Sequence, residues 1–178
     1  MEYNIRNCLK TIEEHLDSVT CLVKINESQI ASASSDKSIK IWNIVSGICL
    51  NTLKGHSHYV DCLIKINKNN IASGSHDATK KIWDIITGKC LKTLEEHSDW
   101  VNFLVKINGN TIMSASWDKT IKIWDIVTGN CLKTLEGHSD WVIFLVKINE
   151  YTIASASYET IKIWDIITGN CLKTLEGF

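Results

Sequence analysis

The chain has 178 residues, enough for one sizeable core, and its 44% apolar and 22% charged residues set it apart from disordered chains. With 19 basic against 20 acidic residues the formal net charge is −1, which argues against a broad electrostatic footprint for nucleic acid or an acidic membrane. No apolar run approaches the roughly 18 residues of a membrane span, and Met1-Glu-Tyr-Asn-Ile-Arg is not the start of a secretory leader.

Read from the N-terminus, residues 5–12 form a leading strand, and four like units follow at about 15–53, 56–94, 97–135 and 138–175 within one domain, 1–178. His15, His56, His97 and His138 recur every 41 residues; Trp42, Trp83 and Trp124 do the same, with Trp164 after 40. Residues 121–137 and 161–177 differ only at Val127 and Ile167. A fixed period of this length marks a repeat architecture. Each unit opens on a run such as V-T-C-L-V-K-I (19–25) or V-N-F-L-V-K-I (101–107), apolar at nearly every residue and so expected to be buried on both faces. A small-residue strand follows, then I-K-I-W, where lysine alternates with isoleucine at period two. A fourth strand begins at cysteine. Turn signals separate them: N-E-S or N-K-N-N, then S-D-K or H-D-A, then S-G or T-G. Proline is absent, which suits strands paired throughout.

The seven cysteines, Cys8, Cys21, Cys49, Cys62, Cys90, Cys131 and Cys171, recur at two places in the repeat. They read as small apolar fillers with reduced thiols, in an intracellular protein, cytoplasmic with the nucleus left open.

A four-stranded unit cannot bury both faces alone, so neighbours must stack, and radial stacking protects most edges. The residues G-H…S-x-S-x-D-x-x-I-K-I-W-D carry a resemblance to the WD-repeat family of β-propellers over residues 6–178. T-G-x-C-L-K-T-L-x-G-H is most similar to repeats of F-box/WD-type proteins, although no F-box segment is present. The fold class so implied is all-β: four four-stranded blades plus an N-terminal strand, incomplete as a single-chain ring.

The resemblance implies hydrogen-bonded tetrads at His15–Ser32–Asp36–Trp42, His56–Ser73–Asp77–Trp83 and His97–Ser114–Asp118–Trp124, with Ser34, Ser75 and Ser116 as alternative serines. In unit four His138, Ser155 and Trp164 remain, but Trp117-Asp118-Lys119-Thr120 becomes Tyr158-Glu159-Thr160. The deletion falls in the turn, Glu159 is a poor substitute for aspartate, and a weakened tetrad is expected. Asn43 replaces the last aspartate of unit one at a surface-turn position.

No G-x-S-x-G, P-loop, G-x-G-x-x-G or C-x-x-C is present, so no enzyme and no cofactor are expected. His56, His58 and Cys62 lie close together but lack metal-ligand spacing. What remains is where the units disagree: Ser18, Tyr59, Trp100 and Trp141; Thr20, Asp61, Asn102 and Ile143; Ser35, His76, Trp117 and Tyr158. In WD propellers these places ring the top-face channel mouth. The expected partner site is therefore Tyr59, Asp61, His76, Trp100, Asn102, Trp117, Trp141 and Tyr158, the alternative being that the aromatics fill space between blades. With Asp61, Asp99 and Asp140 alongside, a basic peptide is the expected guest. A phosphodegron is disfavoured, because Ser35, His76, Trp117 and Tyr158 offer no arginine fork. Four blades fall short of the usual ring. A homodimer making an eight-bladed ring, a piece of a longer array, and an open arc all remain, with self-association favoured. The functional expectation is a protein-interaction scaffold; an F-box/WD-like receptor fragment and a purely structural self-assembling repeat are the alternatives.

Overall fold

The computed structural model describes residues 10–176. They form sixteen strands in four antiparallel sheets, each in simple sequence order. Blade one is β1 Val19–Lys24, β2 Gln29–Ser34, β3 Ser38–Asn43 and β4 Cys49–Lys54; blade two is β5 Val60–Lys65, β6 Asn70–Ser75, β7 Lys80–Asp84 and β8 Cys90–Leu94. Blade three is β9 Val101–Lys106, β10 Thr111–Ser116, β11 Ile121–Asp125 and β12 Cys131–Leu135; blade four is β13 Phe144–Lys147, β14 Thr152–Ala156, β15 Thr160–Asp165 and β16 Cys171–Glu176. Of the leading strand expected at 5–12, residues 5–9, with Cys8, lie outside the described residues, and residues 10–12 carry no strand.

Local chemistry explains the hairpins. In the third turn of each unit the Asp84 side chain accepts the Ile86 and Thr87 N–H groups, and Gly88 takes φ +74°, a left-handed conformation glycine adopts without strain. Asn43 serves Val45 and Ser46 in the same way. The second turn places Lys37, Ala78 and Lys119 at positive φ in the first three blades.

Stacking follows from two unlike faces. One, the tryptophan face, carries Leu63, Ile71 and Trp83 in blade two; the other, the isoleucine face, carries Ala31, Ile39, Ile41 and Leu53 in blade one, and the two meet at the first joint. The second joint sets Ala72, Ile82 and Leu94 against Leu104, Ile112 and Trp124, and the third sets Met113, Ile121 and Leu135 against Leu145, Ile153 and Trp164. Each joint is also strapped by a lysine reaching back to a backbone carbonyl: Lys65 to Ile25, Lys106 to Ile66, Lys147 to Ile107. Lys24, with no described blade before it, pairs with Glu27 instead, at 2.6 Å.

One expectation is corrected. The first strands were expected to be buried on both faces, and β5 and β9 are largely covered, but most of β1 is exposed, as are Phe144, Val146 and Lys147 of β13. Their apolar residues are suited to a neighbour, and at the two ends of the described arc one side has none.

The middle joint holds an anomaly. Where Ile39 and Ile121 are fully buried, blade two has Lys80, also fully buried, with its Nζ 3.8 Å from the Trp124 ring centroid and no hydrogen-bond partner. Burial pushes its pKa down to about 7, with Lys122 adding to the effect and Cys131, Asp118 and Glu96 opposing it. Its cross-strand neighbour is Gly74, where blades one, three and four have Ala33, Ala115 and Ala156.

Candidate functional site

The recurring polar residues assemble first. Ser32 Oγ lies 2.6 Å from His15 Nε2 and accepts the Trp42 indole N–H at 2.7 Å, while His15 Nδ1 lies 2.7 Å from Asp36 Oδ2. The matching distances are 2.7, 2.8 and 2.7 Å around His56 and 2.7, 2.8 and 2.6 Å around His97. Buried indole and imidazole nitrogens need partners, and this relay supplies them. Ser34, Ser75 and Ser116 are engaged elsewhere: each donates to the carbonyl of Asp17, His58 or Asp99 and accepts the N–H of its turn aspartate. Burial raises the pKa of Asp36, Asp77 and Asp118, but hydrogen bonds outweigh it and hold all three well below the usual carboxylate range: Ser38, His15 and the Leu16 N–H at Asp36, and the histidines with Thr79 or Thr120 at the others.

Sequence reasoning missed that last hydroxyl. Ser38, Thr79 and Thr120 stand two residues after each aspartate and donate to its Oδ1 at 2.6 to 2.7 Å. The recurrence D-x-S/T was there to be read. In blade four it decides the outcome. The turn is one residue shorter, Ala156 pairs with Ile161, and Thr160 Oγ1 lies 3.1 Å from His138 Nδ1, the nitrogen that aspartate engages elsewhere and from which Ser38, Thr79 and Thr120 stand 3.3 to 3.4 Å. Ser155 Oγ keeps both its bonds, 2.6 Å to His138 Nε2 and 2.8 Å from Trp164 Nε1. Without a carboxylate, burial and then Lys162 depress the His138 pKa to about 4.

The aromatic substitutions gather at one end of the blades. The backbone brings them there: His76 N–H donates to Tyr59 O at 2.9 Å and Trp117 N–H to Trp100 O at 3.0 Å, so the residue before the first strand and the tip of the second turn are held together. From blade to blade the rings then stack. His76 lies on Trp100 at 3.8 Å and 10°, Trp100 meets Trp117 at 4.1 Å, and Trp117 lies on Trp141 at 3.8 Å and 4°. Tyr158 ends the row edge-on to Trp141 at 5.9 Å, and His58, with Tyr59 tilted against it, covers His76 at the other end. Tyr59 and Tyr158 are exposed; the indoles are half-buried, because each shields the next. His58 was set aside as a poor metal candidate; its place is in this row.

The polar candidates are already engaged. Asp61 Oδ2 sits 2.5 Å from His76 Nε2, while His76 Nδ1 is buried without a partner. Asp99 and Asp140 accept the backbone N–H of Trp100 and Trp141, both at 2.7 Å. The Asn102 amide, oriented to donate, reaches Val142 O and Ala115 O at 3.0 Å, tying blade three to blade four. Thr20 donates to Val60 O. Among the described residues no group of three or more His, Cys, Asp or Glu is placed to hold a metal, and there is no helix.

The repeat description "WD domain, G-beta repeat" matches residues 6–43, 47–84, 88–125 and 129–165. The chain belongs to the WD40-repeat family. The second, third and fourth matched segments each run from the fourth strand of one blade through the first three of the next, which is why their limits are offset from the sheets. Among solved structures the chain is similar to the WD40 β-propeller domain of Doa1, at 28% identity and a TM-score of 0.83, over 95% of this chain and 57% of that one. It thus spans little more than half of that propeller. No curated protein matches it.

Proposed function

We propose that this chain, as WD40 propellers generally do, serves as a protein-interaction scaffold, and that it does so through its aromatic row, taking a basic peptide or a basic segment of a protein partner. The observation that carries this is the continuous stack from Tyr59 to Tyr158, open to solvent at both tyrosines and bordered by Asp61, Asp99 and Asp140. Because the indoles cover one another's faces, the guest lies along the ring edges and against the terminal tyrosines, and its cationic groups meet the carboxylates. The role so proposed is non-catalytic and inside the cell, with neither nucleic acid nor membrane as ligand. Copies of the chain also associate with one another.

Fluorescence anisotropy with lysine- and arginine-rich peptides against glutamate-rich ones tests the ligand class. Saturable binding of the basic set alone, weakened at least tenfold by the Tyr59→Ala/Tyr158→Ala and Trp117→Ala/Trp141→Ala pairs, supports the reading. Equal binding of both sets, or affinity indifferent to both pairs, overturns it.

A further inference from the structure

The two ends of the arc are not alike. Blade one presents its tryptophan face, where Leu22 is 63% exposed although its counterparts Leu63, Leu104 and Leu145, each inside a joint, are 5%, 3% and 2% exposed. Blade four presents its isoleucine face, where Ile148 is 52% exposed against 1%, 3% and 8% for Ile25, Ile66 and Ile107. Both ends are grooved: one groove of about 340 Å³ is lined by Ile12, Val19, Leu22, Ile30 and Trp42, the other of about 330 Å³ by Ala156, Tyr158, Ile161 and Leu175. All three internal joints mate these same two faces and no joint mates like with like. From this continuity we infer that a second copy of the chain seats the isoleucine face of its blade four on the tryptophan face of blade one, head to tail, and that two such joints close a two-chain ring.

The inference rests on the self-association proposed above and specifies its geometry. Like-to-like contact would set the Trp42 side of one copy against the Trp42 side of another, a packing with no precedent within the arc. Head-to-tail contact repeats a packing used three times, and Lys24, engaged only with exposed Glu27, stands where Lys65, Lys106 and Lys147 reach across to the preceding blade. Heterologous contacts either close or grow into filaments, and with four blades per copy two joints complete the circle. One position is contested. Ile12 stands against blade one where Leu53 stands against blade two, so the partner copy's outermost strand meets a place already taken. At that one position the seam keeps Ile12 in place of the partner copy's Leu175, and the rest of the two faces packs as in the internal joints.

Sedimentation equilibrium on the 178-residue chain and two exposed-face variants tests this. The wild type is expected at twice the chain mass. Leu22→Glu and Ile148→Glu, both at exposed sites, are each expected as monomers with wild-type far-ultraviolet circular dichroism. Mixed in equal amounts they regain a dimer, because the intact isoleucine face of the first meets the intact tryptophan face of the second. Leu175→Asp remains dimeric. A monomeric wild type overturns both this inference and the self-association reading. A dimeric wild type whose single variants stay dimeric, or whose mixed variants stay monomeric, overturns the head-to-tail geometry alone.

Discussion

Replacing Lys80 by the isoleucine found at all three of its equivalents, Ile39, Ile121 and Ile161, tests the energetics of the middle joint. In the unfolded chain the ammonium keeps its proton up to about pH 10.5, whereas in the fold burial lowers the pKa to about 7. Between those values the unfolded state binds more protons, so wild-type stability rises with pH across the window and is flat below it. At pH 7 the burden of the buried charge is about 4 kcal/mol by linkage, offset by roughly 2 kcal/mol from the Trp124 ring beneath the ammonium. Isoleucine of similar volume removes both, so Lys80→Ile is expected to gain about 2–4 kcal/mol at pH 7, or roughly 6–12 °C in Tm. Guanidinium unfolding from pH 6 to 9.5 reads the gain directly, and it should shrink as pH rises. Lys81→Ile is the control: its lysine is half-buried, bonded to Thr93 Oγ1 at 2.9 Å, and its loss should change stability little. A Lys80→Ile variant no more stable than wild type, or a gain independent of pH, would refute the reasoning.

Other sites make sharper local tests. Gly74→Ala, although alanine stands at the equivalent place in three blades, is expected to destabilise by about 1–3 kcal/mol in thermal unfolding, since its Cβ would fall 2.7 Å from Cys62 Sγ and 3.0 Å from Val101 O. Glu159→Ala should be nearly neutral, while Asp118→Ala, which strands His97 and Thr120, should cost about 2–3 kcal/mol; equal losses in urea denaturation would contradict the account of the short turn. With the His138 pKa depressed to about 4, its contribution is full above pH 6.5 and is lost as pH falls through 4, at most about 3 kcal/mol. His138→Gln should flatten the stability profile between those values, leaving the smaller slope of His97, whose pKa burial also lowers.

The blades themselves were legible because repetition multiplies each weak signal by four: one I-K-I-W is ambiguous, four at a fixed spacing are not. The histidine relays were readable through family likeness, and their hydroxyl partner from recurrence alone, had Ser38, Thr79, Thr120 and Thr160 been aligned. The aromatic row was legible in position and not in form. Sequence placed Trp100, Trp117 and Trp141 at one end, but whether rings stand free or lie on one another depends on side-chain rotamers and on the distance between blades. The exposure of β1 was hidden for a related reason: V-T-C-L-V-K-I reads the same whether or not a neighbour stands beside it. Lys80 was in plain view as K-K-I-W, yet a lysine next to a lysine looks like a solvated edge until the partner blade is in place.

The middle seam also sets the order in which the arc comes apart. The outer joints are sealed by Ile39 and Ile121; the centre is sealed by an amine that the surroundings would rather keep neutral. Since each blade touches only its neighbours, opening that one plane divides the arc into two pairs of blades, each still holding its own better joint. Protonation of Lys80 as the pH falls from about 10.5 toward 7 thereby acts as a wedge at the midpoint, loosening the span between the two halves.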